Sequence, residues 1–236
     1  MACTRLALLL LLVAALAACG QQTPAFTRIG TLPPGSTIAV RNDRGDISVY
    51  APERGQPASM YTIAANLAAP QTSIVVRGRS IVVSAAGPGL NYLIRGPKGS
   101  VLDLSTRDGS INVADFDGTV SARTGRGDIK MLIPQYGNAS VGTGNISVIF
   151  ASTTWPGTLH FSAAKGDVEL YVNENAAAHV HLHTDRGTIF TDFPLKGTAS
   201  GTSETIDAGI NGGAKRSIEV EVRDGSIRLL QLKPQV

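Results

Sequence analysis

Four histidines are the most distinctive set of possible metal ligands in this sequence. His179, His181 and His183 alternate along a strand-like segment, so their side chains share one face at intervals of about 6 to 7 Å. His160 and His181 each lie six residues before a recurring glycine, and we expect adjacent repeats to stack these two imidazoles. Because imidazole clusters commonly bind Zn or Cu, His160, His179, His181 and His183 form a candidate metal site.

A solvated strand face is the simpler interpretation of the same histidines. No carboxylate or cysteine completes a ligand set at a defined spacing. Polar side chains are also expected on the outward face of any half-buried strand. The solvated face is therefore favoured, and an envelope metal-binding protein that uses the histidine face is an alternative function.

Aspartates beside the recurring glycines are a second candidate set. Glycosidic cleavage needs two carboxylates at a set separation, one with a raised pKa, and Ca binding needs a denser set of oxygens. Neighbouring arginines are expected to neutralise these carboxylates, and no Gly-x-Ser-x-Gly, His-Glu-x-x-His or Gly-x-x-x-x-Gly-Lys motif occurs in the sequence. A polysaccharide-active enzyme is thus only an alternative. The aspartates are Asp46, Asp108, Asp128, Asp167, Asp185 and Asp224.

Two Arg-Gly-Asp tripeptides, at residues 44–46 and 126–128, match the sequence used by integrin ligands. Both occupy the same position of a repeat, where a turn already explains Gly followed by Asp. The pattern therefore favours a structural turn over integrin recognition.

Two further segments, Trp155-Pro156-Gly157 and Tyr136-Gly137-Asn138, fall between repeats and are predicted to be loops. Binding residues are often placed on loops. Trp155 is expected either to stack on a sugar or to pack over the end of a coil.

These candidates are positioned by a repeat that occurs at least seven times. Each copy has alternating apolar residues, a polar pair, Gly, a small polar residue and then Ile or Val. Counted from Gly109, successive glycines are 18, 17, 22, 21 and 38 residues apart. The glycines are Gly45, Gly109, Gly127, Gly144, Gly166, Gly187 and Gly225.

Within each copy, residues at every second position around the glycine are apolar, for example Leu102, Leu104, Ile111 and Val113. This is the period of a half-buried strand that turns at Gly. One copy cannot bury its apolar face alone, whereas stacked copies form a continuous core. The sequence predicts an all-β, single-domain β-solenoid over residues 36–236, with an antiparallel β-sandwich as the alternative.

The repeated Gly-Asp/Ser-Ile turns resemble a bacterial family known as “putative adhesins”, a domain of unknown function with a β-solenoid fold. The resemblance covers roughly Thr37 to Leu230 and implies an adhesin-like, non-enzymatic binding or scaffolding role. Residues 52–99 depart from the pattern, and the segment after Ser73 is predicted to form a hairpin-like pair of strands.

The N-terminus has the layout of a secretory signal, with Arg5 ahead of an apolar run from Leu6 to Leu16 that is too short to span a bilayer comfortably. Leu16-Ala17-Ala18-Cys19-Gly20 resembles the lipobox of bacterial lipoproteins. That resemblance implies a signal peptide at residues 1–18, a diacylglycerol-modified and palmitate-bearing Cys19, and a tether over residues 19–35. Gly20 in place of Asp is similar to exported lipoproteins, which favours the outer membrane.

Composition limits the other function classes. The formal net charge of +3 includes Arg5 of the signal, so the mature chain is nearly balanced and offers no basic stripe for nucleic acid. Removal of Cys3 and lipidation of Cys19 would leave no free thiol. The favoured function is a lipid-anchored envelope module, without a cofactor, whose partners are the membrane and an envelope protein or glycan.

Overall fold

The computed structural model describes residues 26–66, 72–85, 89–133, 135–213 and 215–233. The predicted signal peptide and Cys19 lie outside these ranges. The described residues form 21 strands in two sheets. None of them forms a helix with the length and apolarity needed to cross a membrane.

The strands are numbered in chain order. The first ten are β1 (Phe26–Thr31), β2 (Thr37–Arg44), β3 (Ile47–Tyr50), β4 (Met60–Ala65), β5 (Thr72–Arg77), β6 (Ser80–Ala85), β7 (Tyr92–Arg95), β8 (Ser100–Asp108), β9 (Ile111–Ala114) and β10 (Gly118–Arg126). The others are β11 (Ile129–Ile133), β12 (Tyr136–Thr143), β13 (Ile146–Phe150), β14 (Thr158–Lys165), β15 (Val168–Asn173), β16 (Ala178–Arg186), β17 (Ile189–Thr191), β18 (Thr198–Ser200), β19 (Ser203–Ile210), β20 (Ser217–Asp224) and β21 (Ile227–Leu232).

Each predicted repeat is one coil of a β-solenoid: a long strand in one sheet, a glycine turn and a shorter strand in the other. Neighbouring coils pair in parallel and keep a constant register, so that Val120 lies opposite Leu102 and Ile129 opposite Ile111. The inward residues of both sheets form one buried core. The solenoid prediction is confirmed, and the parallel pairing between repeats excludes the antiparallel sandwich.

The glycine at each turn is required by the spacing between coils. Gly127 has a φ of 132°, in the region that favours glycine. A Cβ added to Gly127 would overlap the carbonyl oxygen of Gly109 on the neighbouring coil, and one added to Gly144 would overlap that of Gly127. The turns therefore stack as a column of glycines that leaves no room for a side chain.

The end of the solenoid formed by the early strands contains an eighth coil that the repeat pattern missed. Strands β6 and β7 pair in parallel with β2 and β3, and Leu90 takes the place of the turn glycine, since the Cβ of Gly45 would point at the Leu90 carbonyl. The predicted hairpin is confirmed, because β5 pairs antiparallel with β6.

Strand β1 lies within the segment predicted to be a tether, residues 19–35, and pairs antiparallel with β4. The folded domain therefore begins before residue 36. The prediction was wrong at this boundary because Phe26–Thr31 lacks the glycine turn by which the repeats were recognised.

At the other end, the 38-residue interval before Gly225 does not contain two successive coils. The antiparallel strands β18 and β19 add to the edge of β16. The chain then returns, and β20 inserts between β14 and β16 while β21 inserts between β15 and β17. The order of coils in space therefore differs from their order in the sequence.

Candidate functional site

The outer face of the eleven-stranded sheet carries a shallow groove across strands β10, β12, β14, β20 and β16. Its larger section encloses about 510 Å³, and a smaller section of about 260 Å³ continues toward β10. Both sections are lined by Ser140 and Ser162. The groove is therefore one feature that extends over several coils.

Small side chains form the floor of the groove. Gly142, Ser140, Ser162 and Ala164 occupy outward positions on two adjacent strands, and the Ser162 hydroxyl donates to Ser140 Oγ at 2.9 Å. A Cβ on Gly142 would contact the backbone of Gly125 on the next strand. The groove exists because two adjacent coils, those of β12 and β14, have no long side chain at these positions.

Long polar and charged side chains stand on both sides of the floor. His183, Asp185, Glu221 and Arg223 line the larger section, and Arg123 lines the smaller one. These groups are long relative to serine and glycine and so form the walls. The floor offers hydroxyl groups, and the walls offer hydrogen-bond donors and acceptors of both charges.

Beyond Arg123, an ion-pair network continues along the outer face. Arg41 and Arg123 both contact Asp103, and Asp108 lies between Arg126, Arg107 and Arg44. The hydrogen bond from Arg126, at 2.5 Å, and the positive charges of the three arginines hold the pKa of Asp108 below its usual value. This carboxylate is ionised and neutralised, as the sequence suggested.

The predicted stacking of His160 on His181 was wrong. Strand β20 lies between β14 and β16, and Glu219 is the residue opposite both histidines. His160 Nδ1 lies 2.9 Å from Glu219 Oε2. The equal spacing of the two histidines from their glycines was correct, but the C-terminal coil separates their strands.

His179, His181 and His183 do share the outward face of β16, as predicted. His179 Nε2 lies 2.9 Å from one carboxylate oxygen of Asp207, and His181 Nδ1 lies 3.1 Å from the other. The hydrogen bond with His181, supported by the charges of both histidines, lowers the pKa of Asp207. Asp207 on β19 therefore joins two histidines of β16.

The third histidine has separate partners. His183 lies 2.8 Å from Thr205 Oγ1 through Nδ1 and 3.1 Å from Asp185 Oδ1 through Nε2. Within the described ranges, no group of three or more His, Cys, Asp or Glu side chains is arranged to hold a metal ion. Zn or Cu binding by the four histidines stays the alternative hypothesis that a titration can test.

The aspartates that follow the turn glycines take part in a ladder between coils. Asp46 Oδ1 accepts from the Ser110 N–H, Asp128 Oδ1 from Asn145 and Asp167 Oδ1 from Ser226, at 2.7 to 2.8 Å. Each of these carboxylates therefore accepts from a backbone N–H of the neighbouring coil. The Asp side chains of both Arg-Gly-Asp segments are thus used in hydrogen bonds between neighbouring coils.

The two predicted loops have different outcomes. Trp155 is buried, packs edge-to-face on Phe150 with ring centroids 5.0 Å apart, and donates from Nε1 to the Ser217 carbonyl at 3.3 Å. Its role is packing. The loop prediction for Tyr136-Gly137-Asn138 was wrong, because all three residues belong to β12 and pair with β10.

The groove floor was not predicted from the sequence, because it consists of small side chains and contains no catalytic motif. Its signal is the series Gly125, Gly142 and Ala164, each two residues before a turn glycine in three successive repeats. Small residues at one outward position of consecutive coils leave a depression on the sheet surface. Recognising it requires counting from the turn glycine rather than searching for a catalytic motif.

The fold and its outer face define a two-sheet, mainly parallel β-solenoid built from glycine-turn coils. Residues 31–230 match the model of the Toastrack DUF4097 family. The chain belongs to this family, which confirms the resemblance indicated by the repeats. No curated protein matches the chain significantly.

Several solved structures are similar to this chain at low sequence identity. A “putative cell adhesion protein” from Clostridium sporogenes is 12% identical, with coverage of 89% of this chain and 100% of that chain and a TM-score of 0.52. A “putative adhesin” from Bacteroides fragilis is 12% identical, covers 88% and 96%, and has a TM-score of 0.36. A “putative lipid binding protein” from Parabacteroides distasonis is 9% identical, covers 91% and 98%, and has a TM-score of 0.28. The first of these supports the fold.

Proposed function

We propose that this protein is a non-enzymatic, adhesin-like binding module of the bacterial cell envelope, anchored to the outer membrane by lipid on Cys19. The groove across the eleven-stranded sheet is the observation that carries this proposal. It presents a rigid, polar surface that extends over several coils, and the proposed ligand is an extended polar chain of an envelope glycan or protein.

The dimensions of the groove favour an extended ligand over a compact one. Neighbouring strands are about 4.8 Å apart, so its larger section, which runs from β12 through β14 and β20 to β16, crosses three strand spacings and measures about 14 Å. Ser140 and Ser162 supply hydroxyl groups along the floor, and Glu221 and Arg223 supply charged partners at one wall. A chain lying on the floor could form hydrogen bonds at successive points without entering a deep pocket.

The non-enzymatic part of the proposal rests on the surroundings of the carboxylates. Glycosidic cleavage uses a carboxylic acid whose pKa is raised, whereas the pKa values of Asp108 and Asp207 are lowered by their Arg and His partners. Asp46, Asp128 and Asp167 accept backbone hydrogen bonds. These five carboxylates are engaged in structure.

The lipid anchor is supported by the sequence around Cys19. The short apolar run, the small residues before the cysteine and Gly20 after it are similar to exported lipoproteins. Incorporation of labelled palmitate into the wild-type chain, and its loss in Cys19→Ala, is the expected result. Secretion of an unlabelled, soluble chain would contradict the anchor without affecting the groove.

The groove is tested by filling its floor. Binding is measured separately to immobilised peptidoglycan, surface polysaccharide and outer-membrane proteins. We expect Ser140→Trp and Ser162→Trp to reduce binding at least tenfold to the probe that the wild-type protein binds. Ser48→Trp is the matched control, because Ser48 lies on a strand of the other sheet. Equal binding by all variants, or release of new reducing ends from a glycan, would contradict the proposal.

A further inference from the structure

The end of the solenoid nearest the N-terminus differs from the rest of the molecule in its surface chemistry. It is formed by β1, β4 and β7 in one sheet and by β5 and β6 in the other, and we call it the N-terminal end. Both sheets terminate here, because the coil of β6 and β7 is followed by β5 on one side and by β4 and β1 on the other. The first described residue, Phe26, belongs to its edge strand.

Exposed apolar side chains concentrate at this end. Seven large hydrophobic residues of the described chain are exposed, and five of them lie in β1, β5, β6 and β7. The exposed fraction is 63% for Ile29 and 41% for Val76. The other three are Val75, Val82 and Leu93. A folded chain in water normally scatters such residues singly, so their concentration at one end indicates a contact surface.

The same end is basic. Strands β1, β4, β5 and β6 and the turn between β5 and β6 contain Arg28, Arg77 and Arg79 and no acidic residue. Arg28 and Arg77 are exposed in the two edge strands. The opposite end carries Asp185, Glu204 and Asp207 around the histidine strand. The charge therefore changes sign along the solenoid, with the basic part beside the chain that leads to Cys19.

The length of that connecting chain limits how far this end can be from the anchor. Phe26 is seven residues after Cys19, a distance of at most about 25 Å when the chain is fully extended. The ten-stranded sheet is about 43 Å long at about 4.8 Å per strand. A lipid on Cys19 would thus hold the N-terminal end, and not the opposite one, close to the bilayer.

We infer that the N-terminal end is a lipid-surface contact that rests on anionic phospholipid, with Ile29, Val75 and Val76 at the headgroup boundary and Arg28 and Arg77 facing phosphates. This inference rests on the proposed anchor for its biological setting. Apolar burial combined with attraction of arginines to anionic lipid is the combination by which peripheral surfaces bind membranes. The contact fixes the orientation of the solenoid, so that the groove is held away from the membrane.

Vesicle flotation of the mature chain with Cys19→Ser tests the contact without the anchor, since this chain contains every described residue and no lipid. We expect it to float with phosphatidylcholine vesicles that contain phosphatidylglycerol and much less with phosphatidylcholine alone. Arg28→Glu with Arg77→Glu, or Ile29→Ser with Val76→Ser, should reduce the bound fraction at least fivefold. All variants are compared after thermal melting has shown that they are folded.

Two matched controls lie elsewhere on the solenoid. Phe190→Ser removes an apolar side chain of similar exposure, 57%, from β17, and Lys130→Glu with Lys196→Glu makes the same charge change away from the N-terminal end. Neither should change flotation. Equal losses for the control and test variants, or no flotation of the parent chain with either vesicle, would overturn the inference.

A measurement on the lipidated protein separates the contact from the anchor. A fluorophore on Arg77→Cys in proteoliposomes should be quenched by a nitroxide-labelled lipid, whereas one on Lys196→Cys should not. Equal quenching at both positions would overturn the contact even if palmitate labels Cys19. If the unlipidated chain floats but palmitate does not label Cys19, the lipid-surface contact is supported and the proposed anchor is contradicted.

Discussion

Asp128 Oδ1 accepts a hydrogen bond of 2.8 Å from the backbone N–H of Asn145, the equivalent turn residue on the next coil. Asn145 Oδ1 in turn accepts from the N–H of Asp167 at 2.9 Å. Each turn side chain thus satisfies a donor of its neighbour. The tripeptides that look like recognition sequences are parts of this ladder.

Loss of one acceptor should weaken the ladder by a measurable amount. Asp128→Ala leaves the Asn145 N–H without its protein partner, and we expect a decrease of about 1 kcal/mol in the free energy of unfolding, measured in urea. Asp128→Asn retains an acceptor oxygen and should lose less than half as much. Hydrogen exchange at Asn145 should accelerate only in the alanine variant. Equal stability of the two variants would show that the hydrogen bond contributes little.

The glycine column makes a stronger prediction. Gly127→Ala combines a φ of 132° with overlap on the Gly109 carbonyl, and we expect a loss of about 3 kcal/mol in the free energy of unfolding. Gly201→Ala is the control, because Gly201 has a φ of 62° and no atom within 4 Å of its Cβ position. Its cost should be about 1 kcal/mol, from the backbone conformation alone. Similar costs at both sites would argue against the close approach of the coils.

The two aspartates with lowered pKa values predict an acid-sensitive fold. A carboxylate whose pKa is lower in the folded state stabilises that state above its unfolded pKa, near 3.8 for Asp108 and Asp207, and this contribution is lost as the pH falls through the folded value. The melting temperature should therefore decrease below about pH 4. Asp207→Asn should melt lower than wild type above about pH 4, and the two curves should converge as the pH falls through the lowered pKa of Asp207. A constant difference across this range would contradict the role of ionised Asp207.

The histidine face predicts a flat metal titration. Asp207 joins His179 and His181, and His160 lies across β20 from the other histidines. We expect calorimetry of the mature chain with Zn or Cu to show no tight one-to-one binding, and wild type to match the variant His181→Ala, His183→Ala. Stoichiometric binding that disappears in the variant would instead establish a metal site and shift the proposed function toward metal handling.

The sequence was sufficient to predict the coils because each coil repeats two requirements at fixed positions: apolar residues that face the core and a glycine at the turn. Leu102, Leu104, Ile111 and Val113 were expected inside and are buried, since period-two alternation allows only one side of a strand to face the core. The turn glycines were recognisable because a Cβ there would meet the neighbouring coil. Both constraints are local in sequence and repeat with the coil.

The order of the coils was not predictable in the same way. The repeat around Gly225 forms β20 and β21. Because all coils share one register, its sequence is equally compatible with β20 pairing outside β16 and with β20 inserting between β14 and β16. Leu90 replaces the glycine in the coil of β6 and β7, so the pattern did not reveal it. The groove depends on which coils are neighbours. The predicted stacking of His160 on His181 failed for the same reason, because the inserted strand β20 separates their strands.

The insertion of β20 and β21 also constrains how the molecule can be made. Strands β14 to β17 precede β20 and β21 in the chain. In the native fold β20 separates β14 from β16, and β21 separates β15 from β17. The native neighbours of β14 to β17 are all present only once the segment from Ser217 to Leu232 has been added to the chain. Assembly of the solenoid is therefore completed by closure from the C-terminal segment rather than by sequential addition of coils to a growing end.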